Sequence, residues 1–144
     1  MRLFSMIFIT ATSFASMTTL AHSEVANPVV KARMAAMSDI GASMKTLGKM
    51  VKGETDFDAM AAQAAVDTVA ARAEAAPELF EPKETDPESE ALPAIWDNWD
   101  DFVTKAEALQ TTAEGITITA AADLGPAMGQ LGDACKACHS KYKE

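Results

Sequence analysis

The sequence predicts an all-α fold, an antiparallel four-helix bundle, and three observations lead there. Good helix formers, alanine and methionine above all, are frequent, while aromatic residues make up 6% of the 144 residues. Apolar side chains recur at spacings of three and four in four separate stretches, the pattern of helices with one buried face. Proline and glycine punctuate the gaps between them. The length suits one domain with one core.

The first helix is expected from about Pro28 to Lys52, since proline fits a first helical position and Gly53 fits the position past the end. Val30, Arg33, Met37, Ile40, Gly41, Met44, Gly48 and Val51 fall along one face. A second helix is read from about Asp56 to Ala76, with Phe57, Met60, Ala61, Ala64, Val66 and Val69 as its apolar surface. Pro77, Pro82, Pro87 and Pro93 then forbid a continuous helix, so 77–93 is a surface crossover. Six acidic residues against Lys83 make it strongly negative.

The third helix begins near Pro93, where Ile95, Trp99, Phe102, Ala106, Leu109 and Ala113 form a seam for facing helices. Ile116 to Thr119 alternates like a short strand with nothing to pair with, and reads as a frayed end or irregular turn. The fourth helix spans about Pro126 to Tyr142. Leu124, Met128, Leu131, Cys135, Cys138 and Tyr142 put both cysteines on its core side. Short loops and one long connection between the second and third helices complete the bundle.

Residues 1–21 stand apart. Arg2 gives a positive start, Leu3 to Leu20 is uncharged and apolar, and small residues follow at Ala21 and Ser23. This is the pattern of a secretory signal peptide, cut after Ala21 or after Ser23; a retained membrane anchor is the rival reading. The domain is then 22–144, periplasmic, with no stable membrane insertion after cleavage. Loss of Arg2 leaves eleven basic against twenty-one acidic side chains, a formal charge of −10. Such a surface repels phosphate backbones, so nucleic acid is excluded and a basic protein surface is the expected partner.

Cys135-Lys136-Ala137-Cys138-His139 carries the chemistry. Two thiols at this spacing can add to the two vinyl groups of a haem, and the next residue can offer an imidazole to the iron. This is the attachment pattern of one covalent haem c (heme c). A thioredoxin-like pair would sit in a βαβ setting, which is absent here. A structural zinc site would need four ligands, whereas the chain offers two cysteines, His139 and His22.

With this motif at its C-terminus on the last helix of a bundle, the chain resembles the class II cytochromes c, the cytochrome c′ family. The first-helix stretch, the Lys52-Gly53 turn, the Pro-rich crossover and Ile95-Trp96 carry the resemblance along the domain. It implies a haem between the first and last helices with its edge near solvent. The family divides on the sixth iron ligand: an apolar residue blocks that side in cytochrome c′, and a methionine binds there in cytochrome c-556. Met37-Ser38-Asp39-Ile40-Gly41, continuing through Met44, Leu47-Gly48 and Lys52-Gly53-Glu54, looks like the second type and puts Met37 on the ligand position. Gly41, one turn on, leaves room for a flat macrocycle. Met34 and Met44 share a similar face, Met50 points away, and an iron with no methionine ligand stays open as an alternative.

For Arg33 the resemblance suggests a place near a haem propionate, the alternative being a solvated helix charge. Trp96 and Trp99 pack in the core or cover the haem edge. The stretch from Gly115 to Pro126 departs from the family, shortened and irregular. Family members often dimerise through the first two helices, and Ala42, Gly48, Ala61 and Ala65 would allow it. The expected function is single-electron transfer between redox proteins, without enzymatic activity. A five-coordinate protein binding nitric oxide or carbon monoxide is the alternative. A peroxidase-like enzyme would need a distal histidine that the core lacks.

Overall fold

The computed structural model describes residues 25–144, so the leader and its cleavage positions lie outside the described residues. Helix α1 spans Pro28–Val51. Asn27 caps it, its side chain accepting from the Val29 and Val30 amides at 2.9 and 3.2 Å. Gly53, at φ +70°, ends it: the Gly53 amide donates to Met50 and the Glu54 amide to Lys49. That paired closure needs the left-handed backbone glycine adopts freely.

Helix α2 spans Ala59–Phe80 behind the cap Asp58, whose carboxylate accepts from the Ala61 amide at 3.0 Å. It therefore runs past Pro77, where the sequence predicted a stop. An interior proline costs about 3 kcal/mol through a lost hydrogen bond and a crowded carbonyl. Burial of Phe80 just beyond it opposes that cost, since a buried phenylalanine contributes roughly 1.5–3 kcal/mol. The predicted third helix is two pieces, α3 over Ala94–Asp97 and α4 over Trp99–Glu114. Asn98 breaks it at φ −133°, its side-chain amide donating to the Ala94 carbonyl. After a 3₁₀ turn at Ala121–Asp123, α5 spans Leu124–Tyr142.

These elements form the antiparallel four-helix bundle, with α2 packed closely on α1 and α4, and α5 on α4. Contact between α1 and α5 is sparse, and a cavity opens there. The core falls into two clusters. One runs through Ile40, Leu47, Val66, Val69, Leu124 and Leu131; the other gathers Phe80, Ile95, Phe102 and Tyr142.

Two predicted faces are rotated. On α1 the buried stripe is Val30, Arg33, Ala36, Ile40, Ser43 and Leu47, and Val51 is exposed. On α2 it is Ala62, Ala65, Val66, Val69, Ala73 and Ala76, whereas Phe57 precedes the helix and Met60 is 82% exposed.

Ile116 and Ile118 are buried and their neighbours exposed, as in a strand, but the partner is a side chain. Gln63 Oε1 accepts from the Ile118 amide at 2.8 Å, and its Nε2 donates to the Ile116 carbonyl at 3.3 Å. No helix of the described residues is long and apolar enough to cross a membrane.

Candidate haem site

The cavity between α1 and α5 has a volume of about 570 Å³, within the range of small-ligand and cofactor sites. Val30, Arg33, Met34, Met37, Gly41 and Met44 line it from α1, and Cys135, Cys138, His139 and Tyr142 from α5. Ala73, Ala76 and Phe80 of α2, and Phe102, Ala106 and Leu109 of α4, form the floor. Glu88 to Ala91 of the crossover and Lys143 reach its edge. Small residues keep it wide; a Cβ added to Gly41 would meet no atom within 4 Å.

The sequence motif arrives here because α5 is regular. Positions three and four apart share a helix face, so Cys135, Cys138 and His139 all reach one cavity. The cysteines are free and half-buried, and burial pushes both thiols above their ordinary pKa. Lys105 opposes that shift at Cys138, while Cys135 and Asp101 add to it. Uncharged thiols are the opposite of the lowered-pKa thiolate of a redox-active cysteine pair. Among the described residues no three His, Cys, Asp or Glu side chains converge as a metal cluster. Partial burial lowers the pKa of His139, Lys143 reinforces this and Glu90 opposes it. The shift favours the neutral imidazole, the form that binds metal.

Among the described residues, Met37 is the one partly buried hydrophobic packed against both core clusters. Met44 also faces the cavity from the first cluster, Met34 is 41% exposed, and Met50 does not line it. The structure therefore brings Met34, Met37 and Met44 into one space with His139.

Arg33 is 2% exposed, which rules out the solvated helix charge. Its Nε donates to the Leu79 carbonyl at 2.8 Å, Nη1 to the Glu84 carbonyl at 2.9 Å, and Nη2 to the Pro82 carbonyl. The guanidinium lies 5.0 Å from the Phe80 ring centroid and 5.4 Å from that of Trp96. Trp96 donates its indole N–H to the Phe80 carbonyl at 2.8 Å, and Trp99 stacks on Phe102. Neither tryptophan lines the cavity.

Sequence reasoning missed Lys105, although it falls on the α4 face between Phe102 and Ala106. It also missed the crossover's part in the cavity wall, for which no local signal exists.

Apolar walls, paired neutral thiols and a neutral imidazole suit a thioether-bound haem, and this bundle and site define a helical c-type haem protein. The Cytochrome C′ family model matches residues 28–143, and the chain belongs to that family. Cytochrome c-556 of Agrobacterium tumefaciens (strain apple 185) is 41% identical over 115 residues, covering 78% of this chain and 91% of that protein. Cytochrome c′ from Rhodopseudomonas palustris matches the fold at TM-score 0.76 and 28% identity, covering 82% of this chain and 97% of that one. A structural model of oxidised R. palustris cytochrome c556 matches at TM-score 0.75 and 27% identity, covering 81% and 96%. Membership brings a covalent haem c, and the two cysteines for its attachment are present.

Proposed function

We propose that this chain is a periplasmic electron carrier whose single haem is held by thioether bonds to Cys135 and Cys138 and ligated by His139 and Met37. The carrying observation is that Met37 and His139, on two sparsely packed neighbouring helices, line one cavity. The haem supplies a one-electron iron couple; the protein's residues fix its surroundings. Cys135 and Cys138 would fix the group to α5, and His139, whose neutral form burial favours, would supply an imidazole nitrogen. Met37 is a soft thioether donor, and His/Met ligation favours the reduced state. Apolar side chains of α2 and α4 would face the buried side of the group.

His139 is the only histidine among the described residues lining the cavity, so a second, distal histidine of the peroxidase kind is missing from its walls, and this reading takes the chain as a carrier. The acidic surface fits redox partners with a basic docking face, and not nucleic acid. Location in the periplasm rests on the leader-like 1–21 and on the family.

The visible absorption spectrum tests this reading. Low-spin spectra in both oxidation states, with a weak far-red sulfur-to-iron band in the ferric protein, are expected. A high-spin spectrum would move the function to binding nitric oxide or carbon monoxide on a five-coordinate iron.

A further inference from the structure

The crossover is stapled to the bundle at three places. At its start Arg33 and Trp96 together satisfy the carbonyls of Leu79, Phe80, Pro82 and Glu84. In its middle the Asp86 carboxylate accepts from the Ala26 and Asn27 amides, both at 3.0 Å, just before α1. At its end Leu92 donates to the Tyr142 carbonyl, and the Glu144 amide donates to Glu90. The segment therefore joins the start of α1 to the end of α5, the two helices with sparse mutual packing. Its residues 88–91 form part of the cavity wall between them.

We propose that Arg33 is a positioning residue: it pegs the crossover beside the cavity and so holds α1 against α5 around the haem. A guanidinium suits this because its planar fork donates in several fixed directions and stacks on aromatic rings. Three carbonyls are met at once, between two rings. A lysine ammonium keeps the charge but cannot reproduce that fork. The proposal rests on the cavity being the haem site, but not on Met37 being a ligand.

The experiment uses the haem-loaded protein and its Arg33→Lys, Arg33→Met and Asp86→Ala variants. Each is digested with a glutamate-specific protease, and its reduction potential is measured. Both Arg33 variants should be cut within 81–90 about tenfold faster or more, the opening expected from one lost hydrogen bond to a charged group. Their potentials should fall, because a loosened wall admits water that favours the charged ferric state. Asp86→Ala loosens the same strap from the surface while leaving the buried guanidinium in place. It should shift both readouts the same way, and it keeps the test open if Arg33→Met does not fold. Wild-type behaviour of Arg33→Lys in both readouts would overturn the proposal, since positive charge alone would then suffice. Resistance of the Arg33 variants to cleavage, or faster cleavage with an unchanged potential, would also overturn it. A bare-chain mass for the unmutated protein would instead refute the haem reading itself.

Discussion

Tyr142 donates its phenolic hydrogen to Asp101 Oδ2 at 2.5 Å, tying the end of α5 to the first turn of α4. The same carboxylate accepts from Lys141 at 3.0 Å and lies 3.7 Å from Lys105. Tyr142 is 3% exposed and lines the cavity. The helix that carries the attachment motif is therefore fixed at its far end by a polar clamp, where apolar packing alone would let it fray.

That clamp gives an acid dependence. The Tyr142 hydroxyl first, then Lys141, hold the Asp101 carboxyl below the ordinary carboxylate range. A group whose pKa falls on folding stabilises fully above its unfolded value, about 4, and loses that effect as pH drops through the folded value. Asp86 and Asp123, held low chiefly by backbone amides, act in the same direction. Thermal unfolding followed from about pH 5 down to about pH 2 should show a falling Tm. Asp101→Asn should flatten that fall, and an identical acid slope in the variant would count against the clamp.

Gln63 offers a stability test far from the haem. Its amide replaces the missing partner strand for Ile116 and Ile118, and also donates to Asp67 at 2.9 Å. Removing it leaves a part-buried amide and carbonyl unmatched, a cost of about 1–3 kcal/mol. Gln63→Ala should lower the urea midpoint accordingly without altering the haem spectrum. An unchanged midpoint would mean that water replaces the amide freely.

Haem attachment is read by mass. The intact exported protein should weigh the mature chain plus one haem, and the haem should stay with the chain after acid–organic extraction. Cys135→Ser or Cys138→Ser should each leave a single link, and the double variant should release the haem. A mass equal to the bare chain or to a simple disulfide would refute the attachment.

What the sequence made legible was local. Cys135, Cys138 and His139 were readable because thioether chemistry dictates their spacing on a single helix. The ends of α1 were readable from Pro28 and Gly53, whose backbone preferences act within one turn. The faces of α1 and α2 were read less well. Alanine on every side of α2 erases the contrast between inside and outside, so Met60 was assigned to an apolar face that packing leaves in solvent. Arg33 was legible on the core face of the first helix, but its carbonyl partners were not, because they lie 46 to 51 residues away. The Pro77 stop failed for the same reason, since the burial that carries α2 to Phe80 is tertiary.

Dimer formation is expected through the α1–α2 end of the bundle, for reasons that the structure partly changes. Ala65 is buried and Gly48 faces Met128 Cε, 3.8 Å from where a Cβ would stand, so both serve internal packing. Ala42 and Ala61 remain outside, and Val51, Phe57 and Met60 add exposed apolar surface near the same turn. Sedimentation equilibrium should give a homodimer. Met60→Glu should weaken it about tenfold or more, the scale of one lost buried side chain. A monomer mass at high protein concentration would end this reading.

The sixth ligand decides between carrying electrons and binding gases. Met37 is favoured over its neighbours because, among the described methionines, it alone packs against both core clusters while lining the cavity. Met34 is 41% exposed and would have to be drawn inward, while Met44 packs on the first cluster only. Met37→Ala should abolish the far-red band and let the reduced protein bind carbon monoxide quickly, with the haem still attached through α5. Met34→Ala and Met44→Ala should keep the band and bind carbon monoxide slowly, because a held thioether must first be displaced. Loss of the band in only one of those two variants would preserve the electron carrier and reassign its ligand. A ferric protein that is high-spin before any substitution would leave Met37 as cavity packing and make the iron an open site.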